Sequence, residues 1–142
     1  MRSSSLQACY GDLFSFADDF EGGHSCCVIP VNTTFDTVVD KPGSYEHPLV
    51  SPFSLHGLWL SKMEELGLSV AEIDRRIDDA LSDVDSVTVK AVPSGFRGKT
   101  NEYPVGTVVP FTVGNITYLL TALSQFDSRN VAHSDGRTCF WL

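Results

Sequence analysis

The run Cys26-Cys27-Val28-Ile29-Pro30-Val31 constrains the fold more than any other stretch of the chain. It is uncharged, has no helical period and is bounded by polar residues, so it reads as a strand. An unbroken apolar strand suits a sheet covered on both faces, which is the habit of α/β proteins. Pro30 has no N–H to give, so the ladder is expected to end nearby on one side. The strand then turns polar at Asn32, and Thr33, Thr34, Phe35, Asp36 and Thr37 follow directly. In open α/β sheets ligands sit beyond the carboxyl ends of strands, close to helix starts. A core strand ending in Asn and running into an Asp-bearing loop is therefore a place to look for a pocket.

The rest of the chain supplies helices and further strands. Residues 32–53 have no period and contain Pro42, Pro48 and Pro52. A structureless loop of that length in a compact domain often carries function. Ser54 is an N-cap residue ahead of an apolar stripe of Leu55, Leu58, Trp59, Met63 and Leu66, with Gly67 as the stop. Ser69 opens a second helix, with Glu72 completing a capping box and Val70, Ile73, Ile77, Ala80 and Leu81 forming its apolar face. Arg75 with Asp79, and Glu72 with Arg76, are i,i+4 pairs on the solvated side, worth about 0.3 kcal/mol each. Residues 86–92 alternate like a half-buried strand, and Pro93 to Asn101 reads as a loop. The runs 106–112 and 117–123, joined by Val113-Gly114-Asn115-Ile116, predict a hairpin. Near the N-terminus, residues 8–16 read as a short strand interrupted by Gly11-Asp12.

At 142 residues the chain is expected to form one domain over residues 1–142. It closes on Cys139-Phe140-Trp141-Leu142, an apolar cluster that suggests C-terminal truncation of a longer fold. The net charge of −8 argues against nucleic acid as a partner, since phosphate-binding surfaces are basic. No run reaches the about 18 apolar residues that a membrane span needs, and the first residues make a poor signal peptide. A cytoplasmic domain is expected, or the cytoplasmic part of a protein anchored through a segment outside this chain. The four cysteines contain no CxxC pair; reduced thiols are expected, with Cys26 and Cys27 buried. His24, His47, His56 and His133 show no metal-ligand spacing, so no metal is expected. None of the standard catalytic or phosphate-loop motifs is present.

The candidate residues are those at the strand end and at the start of the first long helix, and each has a structural reading beside a functional one. The Asn32 amide can donate to and accept from a ribose hydroxyl, or simply close an Asx-turn. Asp36 and Asp40 can bind a polar ligand, pair with Lys41 or Arg97, or cap a turn. His56 can contact ligand, act as an acid or base, or sit in the core with a satisfied ring. Gly57 can admit a phosphate close to the backbone, or serve packing alone.

The segments "GDLF" (Gly11–Phe14) and "VIPVN" (Val28–Asn32) resemble the opening of macro domains, and Asn32 matches the asparagine that contacts the distal ribose of ADP-ribose there. "VNTTFDTVVD", "SLHG", "YPVGTVVPF" and "YLLTALSQFDSRNVA" together resemble the divergent macro-like domain of bacterial antiphage Thoeris effectors, over about residues 10–135. The resemblance implies an α/β fold in three layers, a mixed sheet with helices on both faces. It implies that Asn32, Phe35, Asp36 and Thr37 line the distal ribose region. Ser54, Leu55, His56 and Gly57 would stand where the first phosphate loop meets its helix, and Tyr103 to Thr107 would be a structural turn. The implied activity is that of a sensor, with no cofactor, for a signal made from NAD by a partner TIR enzyme: an ADP-ribose carrying a histidine. Three departures stand out. Ser25 occupies the place of the Asp that reads adenine. The long 33–53 loop replaces a short glycine-rich one. The last strand and second phosphate loop of the family have no match here.

Two other functions compete with sensing. One is an ADP-ribosyl hydrolase, in which Asn32 orients the ribose and Asp36 or His56 activates water. The other is a structural or homo-oligomerising domain without a small ligand.

Overall fold

The computed structural model describes residues 8, 10–18, 23–46, 48–88, 98–126 and 131–133. The constraining strand is β1, Ser25–Asn32. It pairs in parallel with β5, Ile116–Phe126, and β5 pairs on antiparallel terms with β4, Val108–Val113, so the sheet is mixed. The helix α1 (Leu13–Asp18) precedes β1, and α2 (Leu55–Glu65) and α3 (Val70–Leu81) lie between β1 and β4 in the chain. Two short strands, β2 (Val87–Thr88) and β3 (Asn101–Glu102), form a separate antiparallel pair, and β6 (Ala132–His133) pairs with the end of β5. The α/β class and mixed sheet are as the sequence implied.

One expectation for β1 needs correction. Its side chains alternate: Cys27, Ile29 and Val31 are buried, whereas Cys26, Val28 and Pro30 are exposed, Val28 by 55%. β4 repeats this, burying Val109 and Phe111 and exposing Val108, Pro110 and Thr112. All three helices contribute to the core on the buried face. Leu13 and Phe14 of α1 pack against it, and the Lys62 ammonium of α2 stands 5.5 Å over the Phe14 ring. No helix covers the opposite face among the described residues. Cys26 is accordingly an exposed thiol, while Cys27 is buried as expected. A run that is apolar at every position conceals which face is covered, because period 2 shows only when the outer face is polar.

The core centres on Trp59 of α2, which is fully buried and meets Phe111 and Tyr118 edge-on at ring-centroid distances of 5.1 and 6.1 Å. Ile73, Ile77 and Leu81 supply the α3 stripe, while Val70 and Ala80 stay exposed at its margins. On α2 the buried stripe runs through His56, Trp59, Leu60 and Met63; Leu58 and Leu66, expected inside, are exposed.

Helix ends follow their predicted chemistry. Ser54 Oγ accepts from Gly57 N, and Ser69 Oγ from Glu72 N, but the Glu72 carboxylate turns to Arg75, so of the expected capping box only the Ser69 half forms. Gly67, at φ +88°, ends α2 with Leu68 N bonded to Met63 O and Gly67 N to Glu64 O, the paired bonds of a Schellman motif. The exposed Arg75 bridges Glu72 and Asp79, whereas Arg76 leaves Glu72 and lies 3.8 Å over the Phe111 ring, donating to Thr112 O.

The hairpin forms as predicted, with Gly114 at φ +60° in a two-residue loop. The left-handed residue in first place matches the type II′ pattern. Pro104-Val105-Gly106-Thr107 is the expected structural turn, closed by Thr107 N to Pro104 O with Gly106 at φ +91°. The expected strand over 8–16 is instead coil and α1. Asp12 caps that helix, accepting from Phe14 N and Ser15 Oγ. The Gly11-Asp12 step is thus a helix start, and the cap outweighs the period-2 look of Leu13-Phe14-Ser15-Phe16. Of the strand expected over 86–92, residues 87–88 form β2, residue 86 is coil and residues 89–92 lie outside the described residues, as do Arg97, most of the 93–101 loop and the Cys139–Leu142 cluster.

Truncating Trp59 to Ala removes the ring on which α2, β4 and β5 converge. The expected cost is about 3–5 kcal/mol, against less than about 0.5 kcal/mol for Leu58→Ala on the exposed side of the same helix. Urea denaturation of both variants measures the contrast.

Candidate functional site

The carboxyl end of β1 is built around one buried carboxylate. A bulge shifts the register at Val31/Asn32, and Thr33 N bonds Ser124 O. The chain then turns, with Phe35 N on Asn32 O and Phe35 at φ +51°, a left-handed conformation unusual for an aromatic residue. The turn drops the Phe35 ring into the core, edge-on to Tyr103 at 5.8 Å, and brings Asp36 back under Asn32. Asp36 N donates to Asn32 Oδ1 at 3.0 Å, and Asn32 Nδ2 donates to Asp36 Oδ2 at 2.8 Å. Thr34 Oγ1 gives a second bond to Oδ2 at 2.6 Å, and Lys99 N bonds Oδ1 at 2.7 Å.

The same knot reaches two distant parts of the chain. Thr37 donates to Asp74 of α3 at 2.7 Å, and the Lys99 ammonium meets Asp74 at 2.6 Å and Asp78 at 3.2 Å. Burial depresses the Lys99 pKa, but the Asp74 and Asp78 carboxylates outweigh it and hold the ammonium above its usual value. Thr33 Oγ1 donates to Glu102, and Tyr103 N to Thr33 O. Residues 98–103 are thereby strapped to both the strand end and α3. Beside the strap lies an open cleft of about 560 Å³ lined by Thr34, Asp78, Gly98, Lys99, Thr100, Asn101 and Tyr103.

Asn32, Phe35, Asp36 and Thr37 are thus brought together, all nearly inaccessible, with Asn32 at 5% exposure and Phe35 at 1%. Asp40 lies apart, accepting from Leu49 N at 2.8 Å where Val39 and Val50 form an isolated bridge; it caps the loop. The second group stands at the start of α2. Ser54 is the N-cap and Leu55 packs against the core. Gly57 is buried, and a Cβ there would lie 2.1 Å from Ser51 O. Its missing side chain therefore admits the protein's own 51–52 backbone, which is the packing reading. His56 is buried beside Trp59 with no hydrogen-bond partner among the described residues, and desolvation lowers its pKa to about 4. Ser25, at the start of β1, has a buried hydroxyl without a partner among the described residues.

The cleft residues Thr34, Lys99, Thr100, Asn101 and Tyr103 were not singled out by sequence reasoning as ligand contacts. The signal present was Gly98-Lys99-Thr100, a small basic step inside a predicted loop. Among the described residues no group of three or more His, Cys, Asp or Glu is placed to hold a metal, and no helix is long and apolar enough to cross a membrane.

The family model of the Thoeris protein ThsA macro domain matches residues 6–140. The chain belongs to that family. No curated protein matches it. For this Thoeris macro domain the match spans both β1 with its polar end and the β4–β5 hairpin that the parallel pairing needs.

Two tests address the site. Asp36→Ala leaves Lys99 N and the Asn32 amide without their acceptor, so a loss of about 3 kcal/mol or more is expected. Hydrogen exchange should speed up at residues 98–103 more than in β4. His56 predicts a pH dependence. Above about pH 6.5 it is neutral in both folded and unfolded chains. Between there and about 4 the unfolded chain binds a proton that the folded one excludes, so stability falls as pH falls. The slope from this one group reaches about 1.4 kcal/mol per pH unit. His56→Gln should remove that component in urea titrations at pH 7, 6 and 5.

Proposed function

We propose that this domain is a sensor module of antiphage defence that binds an ADP-ribose-derived nucleotide signal, a histidine-conjugated ADP-ribose made from NAD by a TIR enzyme. Membership of the Thoeris ThsA macro-domain family carries the reading. Its support in the geometry is the polar cluster at the carboxyl end of β1 beside an open cleft, the position where α/β sheets take nucleotides. In this reading the Asn32–Asp36 knot, with Phe35 and Thr37, forms the floor of the ribose region and sets the shape of the wall above it. Ser54, Leu55, His56 and Gly57 stand at the head of α2, where Gly57 admits the 51–52 backbone, and none of them lines that cleft. The module acts in the cytoplasm, takes no cofactor and does not bind nucleic acid.

The hydrolase alternative is the weaker one. Both Asp36 oxygens already accept hydrogen bonds, so the carboxylate is poorly placed to take a proton from water. Burial leaves His56 a weak base.

Isothermal titration of the whole chain with ADP-ribose and with its histidine conjugate tests the proposal. Binding of at least one at micromolar or tighter affinity is expected, with a loss of tenfold or more in Asn32→Ala and no release of product. A folded chain that binds no ADP-ribosyl compound sinks it.

A further inference from the structure

Among the described residues, the cleft beside β1 presents one ammonium, Lys99, and one carboxylate, Asp78, and the two are paired to each other. The three groups of the Lys99 clamp differ in how firmly they are held. The Lys99 backbone is pinned by its N–H bond to buried Asp36. Asp74 is one-third exposed, bonds Lys99 Nζ at 2.6 Å and also accepts from Thr37. Asp78 is 64% exposed, lies at 3.2 Å from Nζ and, unlike Asp74, lines the cleft. The Asp78 arm is therefore the weak one, since exposed ion pairs contribute little. An ammonium has three protons, and only two are directed at these carboxylates. The remaining described lining is Thr34, Gly98, Thr100, Asn101 and Tyr103, polar or small residues apart from the tyrosine ring.

We propose that Lys99 is the phosphate-binding residue of this cleft and that Asp78 is its built-in competitor. A phosphate or diphosphate group entering the cleft takes the ammonium from Asp78, while Asp74 and Asp36 keep Lys99 in place. The occupied state loses one exposed, longer ion pair and gains a charge-assisted bond to an anion. Asp78 thus raises the threshold for weak anions and leaves the site to ligands that add contacts elsewhere in the cleft. The proposal deepens the sensor reading and rests on it for the identity of the natural ligand, though not for the presence of the anion site.

The test is a pair of titrations on the whole chain, with inorganic pyrophosphate and with ADP-ribose, followed by backbone amide NMR and calorimetry. Both anions should shift the amides of residues 98–102. Asp78→Asn, an exposed change that leaves the fold intact, should tighten ADP-ribose binding by about two- to fivefold, most at low salt. Lys99→Gln should abolish the pyrophosphate shifts and weaken ADP-ribose by about tenfold. Binding of ADP-ribose with unchanged affinity in Asp78→Asn overturns the inference while the sensor reading stands. Pyrophosphate shifts that respond to both substitutions, without ADP-ribose binding, uphold the anion site and remove the sensor reading. No response to either anion removes both.

Discussion

The carboxylate of Asp36 is the point on which the carboxyl end of β1 and its surroundings depend. It is nearly inaccessible, and its two oxygens take bonds from the Asn32 amide, the Thr34 hydroxyl and the Lys99 backbone. An uncompensated charge in that position would be costly, and each of these bonds offsets part of the desolvation. The consequence is geometric. Two segments far apart in sequence, the end of β1 and the 98–103 strap, hold one arrangement because one anion takes partners from both, and Thr37 and the Lys99 ammonium tie that pair to the flank of α3. The left-handed Phe35 is part of the same solution, since the tight turn both buries its ring and returns Asp36 to Asn32.

This arrangement separates shaping from contact. Asn32, Phe35, Asp36 and Thr37 lie beneath the surface, and the cleft wall beside them is made by Thr34 and the 98–103 strap. Gly57 follows the same logic at the other group: its open side is filled by the Ser51 carbonyl. Residues that a motif marks as ligand contacts can therefore act one layer down, by fixing the backbone that presents others.

The sheet below the site shows a comparable division. The face carrying Ile29, Phe111, Tyr118 and Leu120 is buried under α2 and α3 around Trp59, whereas Val28 and Val108 on the other face are about half exposed. Both faces of β1 are apolar, so sequence pattern alone assigns burial to both.

Local chemistry was legible in the sequence wherever one residue decides. Ser54 and Ser69 announce helix starts, Gly67 a helix end and Gly114-Asn115 a hairpin, because caps and left-handed turns depend on nearest neighbours. β1, its polar end and the family resemblance were equally readable. Asp12 was misread for want of context: the residues after it alternate like a strand, and only its two hydrogen bonds reveal a cap. The partners of Asp36 and the cleft around Lys99 were beyond reach, because Lys99 lies 63 residues from Asp36 and side-chain pairing at that distance has no periodic trace in sequence. Sequence determined which elements form and that a polar strand end stands at the edge of the core. Tertiary structure alone decided what Asn32 and Asp36 bind, because a buried charge takes whichever donors the completed fold brings within hydrogen-bond range.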